Sequence, residues 1–381
     1  MIDLYQFVPD TGAVTSSSTR NLIATAELKA PTLTDVAQAA GVSYATADRV
    51  INNRGNVALK STHKVQEAMA ALGYVRNLAA ANLSRQRTYQ LAFLLPGGKN
   101  AFFNRMRNHL EEVARRLAPD QITIDIIAID AFAIKGLKQS LTTLESSHYD
   151  AIGVVGLQAK EIVKPLKSLS NRGTIILGLV SDLPVEHRAA YIGIDNEAAG
   201  RTAARLMGLA HGGNKGCIQL FAGSLNAGDH AERLKGFTEV IESDYPLITC
   251  TDALLTKDQA NAVEQGVEKA LRKRSVTALY NVGAGNAGLV SALRSRKQNS
   301  RPLCVVHELV PHTLSALHSK HIDVVIDQRP DIEINRAVSL MRDLIDKREP
   351  LPTQPLVPTL FLHDNAPLDV QGITPGKNRL Q

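Results

Sequence analysis

Cysteine is scarce in this chain: Cys217, Cys250 and Cys304 are the only three among 381 residues. None has metal-ligand spacing and each lies in or beside an apolar run, so they read as buried, reduced thiols rather than a disulfide framework or a zinc site. No hydrophobic run reaches the roughly 18 residues of a membrane span. The N-terminus lacks the charged start and apolar middle of a signal peptide. These absences point to a cytoplasmic protein that does not enter a membrane. The phosphate-cradling pattern GxxxxGK[ST] is missing, as are His-rich or Cys-rich metal spacings, so neither a P-loop nor a metal is expected. No set of acid, base and nucleophile stands out, which argues against an enzyme. No heptad repeat closes the chain, which disfavours a tetramer built on a C-terminal coiled coil.

What is present is length, apolar content and unevenly placed charge. A chain of 381 residues is too long for one ordinary domain, and 44% apolar residues suffice for a large core. The net charge is +6. Between Pro31 and Arg87 stand Arg49, Arg54, Lys60, Lys64, Arg76, Arg85 and Arg87 against Asp35, Asp48 and Glu67, so four of the six net charges fall in one short segment. A compact positive module suits phosphate binding.

That segment contains TDVAQAAGVSYATADRVINN, from Thr34 to Asn53. Leu33, Val36, Ala37 and Ala40 form one helical stripe, and Ala47, Val50 and Ile51 form a second. Gly41 between them suits a tight left-handed turn, and Ser43 offers an oxygen to cap the second helix. This is the outline of a helix-turn-helix. Packing across Ala37, Ala40 and Val42 would turn the outer face of the second helix, with Tyr44, Ala45, Asp48, Arg49 and Asn52, toward a DNA major groove. A third stripe, Val65, Ala68, Met69 and Leu72, ends at Gly73.

Residues 1–30 show no sustained period and read as a flexible extension. Residues 31–76 make the helix-turn-helix domain, and 77–87 a short alanine-rich linker with Asn77 as a potential cap. From Tyr89 the texture becomes short apolar runs alternating with amphipathic stretches. Strands are expected at 91–95, 122–129, 151–155, 174–179, 217–221, 247–253, 278–282, 303–306 and 324–326, with helices such as 103–117, 197–210, 230–241 and 260–271 between them. Such alternation implies right-handed βαβ units and parallel sheets, divided between two subdomains over residues 88–365. A proline-rich stretch, EPLPTQPLVPTL, and a tail over 366–381 close the chain.

The runs TLTDVAQAAGVSYATADRVIN, KVQEAMAALGYVRN and AAANLSRQRTYQLAFLLP resemble the LacI/GalR family of bacterial transcriptional regulators, and the βα repeats behind them resemble that family's periplasmic-binding-protein-like sensor domain of type I. The resemblance implies that Tyr44, Ala45 and Arg49 contact bases, with Arg49 able to grip guanine through O6 and N7. It implies backbone contacts at Thr32, Ser43, Thr46 and Asn52. Ala45 and Asp48 depart from the family pattern: alanine can touch only a thymine methyl, and a carboxylate accepts from a cytosine amino group. The linker would fold on DNA as a hinge helix and insert Leu83 into the minor groove. Paired hinges imply a homodimer on a roughly palindromic double-stranded operator.

In the sensor half, NAFF (Asn100 to Phe103) follows the first strand. It resembles the stretch of ribose-type binding proteins where asparagine hydrogen-bonds a sugar and an aromatic ring covers its apolar face. The same comparison places Gln158, Glu308 and Gln328 at strand ends in an effector site, with Asp229, His230, Arg233 and Asn286 as secondary members. Asp195 and Asn196 suit a helix cap, and Ala198 stands where many sugar-sensing relatives carry arginine. A small-molecule effector of the sugar or polyol class is expected, and no cofactor. Two alternatives stand beside the regulator: GAGNAG (Gly283 to Gly288), with Glu308 about 20 residues on, matches a dinucleotide-binding fingerprint of an NAD-type oxidoreductase, and the βα repeats alone would suit a transport-type sugar-binding protein. The late position of GAGNAG and the helix-turn-helix at the start disfavour both. The glycines are expected to bring backbone close to the effector at a helix N-terminus.

Overall fold

The computed structural model describes residues 31–51, 57–74, 88–98, 100–130, 132–273, 275–294, 301–348 and 354–369. The chain separates into two compact units, one ending at Arg76 and one starting at Asn77.

The first unit is helical. In α1 (Leu33–Ala40), Thr32 caps the start: its Oγ1 accepts from Asp35 N at 3.3 Å, while Asp35 Oδ2 accepts from Thr32 N at 2.7 Å. This reciprocal box satisfies two backbone donors that the helix itself cannot. Gly41 ends the helix at φ 61°, in the left-handed region that glycine enters at no steric cost. Ser43 then caps α2 (Tyr44–Ile51), its Oγ accepting from Thr46 N at 3.1 Å. Across both helices lies α3 (Leu59–Leu72), closed by Gly73 at φ 61°. The core is made of small side chains, Val36, Ala37, Ala40, Ala47, Val65 and Ala68, which let short helices approach closely. Leu72, expected on the buried stripe of α3, is 39% exposed.

The second unit has two lobes, each a sheet between helices. The first lobe holds β1 (Tyr89–Pro96), β2 (Ile122–Ile129), β3 (Ala151–Val154), β4 (Ile175–Leu179) and β5 (Ala190–Ile192), in the spatial order β2-β1-β3-β4-β5 and parallel throughout. Its crossover helices are α4 (Ala101–Leu117), α5 (Ile134–Leu144) and α6 (Val163–Asn171). After β5 the chain enters the second lobe through α7 (Asn196–His211). There β6 (Gly216–Ala222), α8 (Gly228–Asp244), β7 (Ile248–Cys250), β8 (Leu254–Leu255), α9 (Ala260–Arg272), β9 (Ala278–Asn281), α10 (Asn286–Leu293), β10 (Leu303–His307), α11 (Pro311–His318) and β11 (Val324–Asp327) follow in turn. The chain then returns: α12 (Pro330–Ile345) buries Ile334, Ala337, Val338 and Met341 in the first lobe's core beside Leu91 and Phe93. It crosses once more to add β12 (Thr359–Phe361) to the edge of the second sheet, whose order is β12-β11-β10-β9-β6-β7, with β8 also on β6.

Two local differences from the sequence reading have identifiable causes. The run 247–253 is not one strand: Cys250 pairs with Ile218 but Leu254 pairs with Phe221, so the outer strand carries one residue more than β6 over that interval and the ladder breaks into β7 and β8. The end of the proline-rich stretch is not a loose tail. Thr359–Phe361 pairs antiparallel with β11, and an edge position just after Pro358 is where a strand tolerates a neighbouring proline.

Candidate functional site

On the helical unit, Ala47 of α2 packs inward while Tyr44 (58% exposed), Ala45 and Arg49 face solvent. Thr32, Ser43 and Thr46 lie at helix starts, and each oxygen is engaged locally; the hydroxyls of Ser43 and Thr46 stand 2.8 Å apart. A hydroxyl has one donor and two lone pairs, so such bonds orient it and leave capacity for a phosphate oxygen. Asn52 and Leu83 lie outside the described residues.

In the second unit the carboxyl ends of both sheets face one cavity of about 590 Å³, a size suited to a small organic ligand. The segments after β1, β2, β3 and β4 supply the first-lobe wall, and those after β6, β8, β9 and β10 the other. Such crevices form where neighbouring crossovers leave a parallel sheet in opposite directions, as they do on either side of β1. Gly228 N donates to Ser181 Oγ at 3.0 Å, a direct bond between the walls.

On the first-lobe side, Asn100 caps α4: its Oδ1 accepts from Phe102 N and Phe103 N at 2.9 and 3.3 Å, so its Nδ2 is the atom left to address a ligand. Phe102 and Phe103 meet edge-to-face at 5.1 Å. Phe132, in a left-handed turn at φ 59°, sets its ring 5.7 Å from that of His230. Val180 is also left-handed, at φ 59°. A β-branched residue there costs on the order of 1–3 kcal/mol. Two anchors hold it: its N–H donates to Glu333 Oε1 at 2.8 Å, and its carbonyl accepts from the Tyr191 hydroxyl at 2.8 Å.

The second-lobe side is more polar. His230 Nδ1 accepts from Ser224 N at 3.3 Å, and its Nε2 stands 3.7 Å from Asp229 Oδ2. Asp258 Oδ1 accepts from Ala284 N at 3.0 Å, and burial pushes its carboxyl above the usual range. Glu308, left-handed at φ 75° and 6% exposed, accepts from Gln328 Nε2 at 2.5 Å through Oε1 while its Oε2 has no partner. Burial raises this carboxyl to about 8, against the pull of the Arg233 guanidinium. Asn286 braces the β9–α10 loop, accepting from Asn281 Nδ2 at 2.7 Å and donating to the His307 carbonyl at 2.9 Å.

Seven sequence-expected residues therefore come together on the wall: Asn100, Phe102, Phe103, Glu308, Asp229, His230 and Asn286. Three do not. Gln158 is exposed, its Nε2 donating to the Asp182 carbonyl at 3.3 Å. Gln328 sits behind Glu308. Arg233, fully buried, donates to Asn196 Oδ1 and the Val282 carbonyl at 2.9 and 2.7 Å and supports Asp229 and Glu308 from 3.8 and 3.9 Å. Asp195 caps α7, accepting from Ala198 N. The sequence reading omitted Asp130, Phe132, Ser181, Lys257, Asp258 and His312, all on the wall; the rule that ligands meet the residues just after strands would have picked out Asp130, Phe132 and Ser181.

Residues 32–77 match the profile described as bacterial regulatory proteins, lacI family, and residues 91–349 match that of a periplasmic binding protein domain. The chain joins a lacI-family DNA-binding domain to a periplasmic binding protein domain. It is 27% identical over 250 residues to the HTH-type transcriptional regulator DegA of Bacillus subtilis, covering 65% of the chain and 72% of that protein. It is 27% identical over 180 residues to catabolite control protein A of Streptococcus mutans, covering 47% of the chain and about half, 52%, of the relative. Among solved structures it superposes on a solute-binding protein from Burkholderia graminis in complex with D-arabinose, with a TM-score of 0.67 and 24% identity over 73% of this chain and 96% of that one. GanP, a glucose-galactose binding protein from Geobacillus stearothermophilus, gives 0.66 and 18% over 74% and 100%. These families are regulators and binding proteins, not enzymes.

The oxidoreductase reading of GAGNAG gives way accordingly. Gly285, left-handed at φ 84°, brings the loop onto the cavity wall, but a Cβ on Gly288 would lie 1.8 Å from the Ala260 carbonyl oxygen, so the last glycine serves the packing of α10 on α9. Among the described residues no helix is long and apolar enough to cross a membrane.

Proposed function

We propose that this lacI-family regulator is a homodimeric repressor of a sugar or polyol catabolic or transport operon, controlled by a small molecule held between its two sensor lobes. The observation that carries the reading is the pairing, in one chain, of an exposed α2 face bearing Tyr44, Ala45 and Arg49 with a 590 Å³ cavity at the carboxyl ends of two parallel sheets. Arg49 reads a base edge, Thr32, Ser43, Thr46 and Asn52 position the module on phosphates, and Leu83 enters the minor groove from the 77–87 hinge. The effector contacts Asn100, Phe102, Phe103, Asp229, His230, Glu308 and Asn286, with Arg233 and Gln328 behind them. It acts through its different affinity for two lobe arrangements, and the bond from Gly228 N to Ser181 Oγ joins the lobes in one of them.

The test is fluorescence anisotropy of labelled duplexes from the region upstream of the protein's own gene, with bulk competitor and a salt series. Preferential, salt-sensitive binding supports the reading. A folded, full-length preparation that prefers no fragment, with or without added sugars and polyols, refutes it.

A further inference from the structure

The chemistry of the cavity narrows the ligand beyond a polyol, a step that rests on the cleft being the effector site. Its second-lobe end is acidic: Asp229, Asp258 and Glu308 stand on the wall together. Two cationic side chains lie near. Lys257 is exposed. Arg233 lies behind the wall, engaged by Asn196 and the Val282 carbonyl, and reaches Asp229 and Glu308 only at 3.8 and 3.9 Å. That distance softens the negative potential without completing a hydrogen bond.

Glu308 is the sharper observation. The residue lines the cavity; its Oε2 is buried and meets no protein donor, while Oε1 is held by Gln328. A buried carboxylate oxygen without a donor is costly, and the nearest cation, Arg233, stands 3.9 Å from Oε1 with its own Nη2 making no hydrogen bond, while Glu333 is itself a carboxyl with an unpartnered oxygen. Opposite, Phe103 and Phe132 offer aromatic surface for the apolar face of a ring or chain. We propose that the effector carries a protonated amino group on a hydroxylated frame, an amino sugar or amino polyol, with its ammonium seated against Glu308 and Asp229. A neutral hydroxyl could fill the space but would make no ion pair with either carboxyl. Because burial holds the empty-site Glu308 protonated up to about pH 8, seating a cation there expels its proton.

The test uses the full-length protein and matched pairs: D-glucosamine, D-galactosamine and 1-amino-1-deoxy-D-glucitol against D-glucose, D-galactose and D-glucitol. Isothermal titration at pH 6.5, in two buffers of different ionisation heat, counts protons. An amine binding at least about tenfold tighter than its hydroxyl counterpart, with release of about one proton, supports the proposal. Glu308→Gln should erase both the preference and the proton release. Asp229→Asn, as a second variant, should reduce the preference. A cleft that binds the neutral members as well as the amines, or amines without proton release, overturns the amine assignment and leaves the effector reading standing. DNA binding that no compound of either class alters, with no heat of binding, overturns both.

Discussion

Replacing Glu308 with glutamine should make the unliganded protein more stable, by an amount that grows from nothing near pH 4.5 to its full value at pH 8. The side chain keeps its shape and can still accept from Gln328 Nε2, but it can no longer ionise. In the wild type the folded carboxyl titrates near 8 against an ordinary 4.5. Below about pH 4.5 it is protonated folded or unfolded, and the substitution changes little. Between the two values the folded chain keeps a proton that the unfolded chain has lost, so each pH unit costs folding about 1.4 kcal/mol. Over the whole window the upper limit is about 5 kcal/mol, reached by pH 8 and flat above it. For a unit of this size roughly 2 °C accompanies each kcal/mol, so the variant should melt on the order of 10 °C higher at pH 8.5 and within error of wild type at pH 4.5. Differential scanning calorimetry across that range reads the difference directly. Parallel curves for variant and wild type would refute the reasoning, since they would mean that Glu308 ionises in the fold as easily as in water.

Arg49→Ala should relax base preference at one operator position, a loss of about 1–3 kcal/mol of discrimination, whereas Thr32→Ala should weaken all sequences about equally; competition binding over single-base operator variants separates the two. Gly200→Ala should destabilise by at least about 2 kcal/mol despite a helix-propensity gain of about 1 kcal/mol, because its Cβ would lie 2.0 Å from the Arg233 carbonyl oxygen and force α7 away from α8; a higher melting temperature would show that the helices part freely. Arg105→Ala should cost about 3–5 kcal/mol at neutral pH, because Asp327, fully buried, loses its 3.0 Å partner. Burial holds that carboxyl above the usual range, so the cost should shrink as the pH falls and it takes up a proton, and urea unfolding at pH 7 and pH 4 measures the change.

Much of this organisation is written locally. Thr32 with Asp35, Gly41 and Ser43 mark helix ends through contacts within a few residues, so α1, the turn and α2 are legible from the string alone. The strands from β1 to β11 are mostly legible for a similar reason: buried parallel strands read as short apolar runs. The site is most legible where a residue lies soon after such a run, as Asn100 and Glu308 do. Whether a polar side chain meets the ligand or stands behind another depends on tertiary depth. Gln328 and Arg233 have the right chemistry at nearly the right place, yet each ends one layer back. Asn100 shows the converse, since its oxygen answers to the helix it caps. Lys257 and Asp258 were hidden because two consecutive non-glycine residues take left-handed backbone, at φ 52° and 58°, where the outer strand has broken.

The chain's last return to the first lobe bears on how the protein is made. The sheet that starts at Tyr89 waits for Ile334, Ala337, Val338 and Met341 to cover one side, and these emerge from the ribosome some 250 residues later. A nascent chain stopped anywhere in the second lobe therefore carries an uncovered apolar flank on the first, and a nonsense codon upstream of Pro330 disables the lobe that was synthesised earliest. The sensor comes into being whole, once α12 has been synthesised, or it stays exposed to proteases and chaperones.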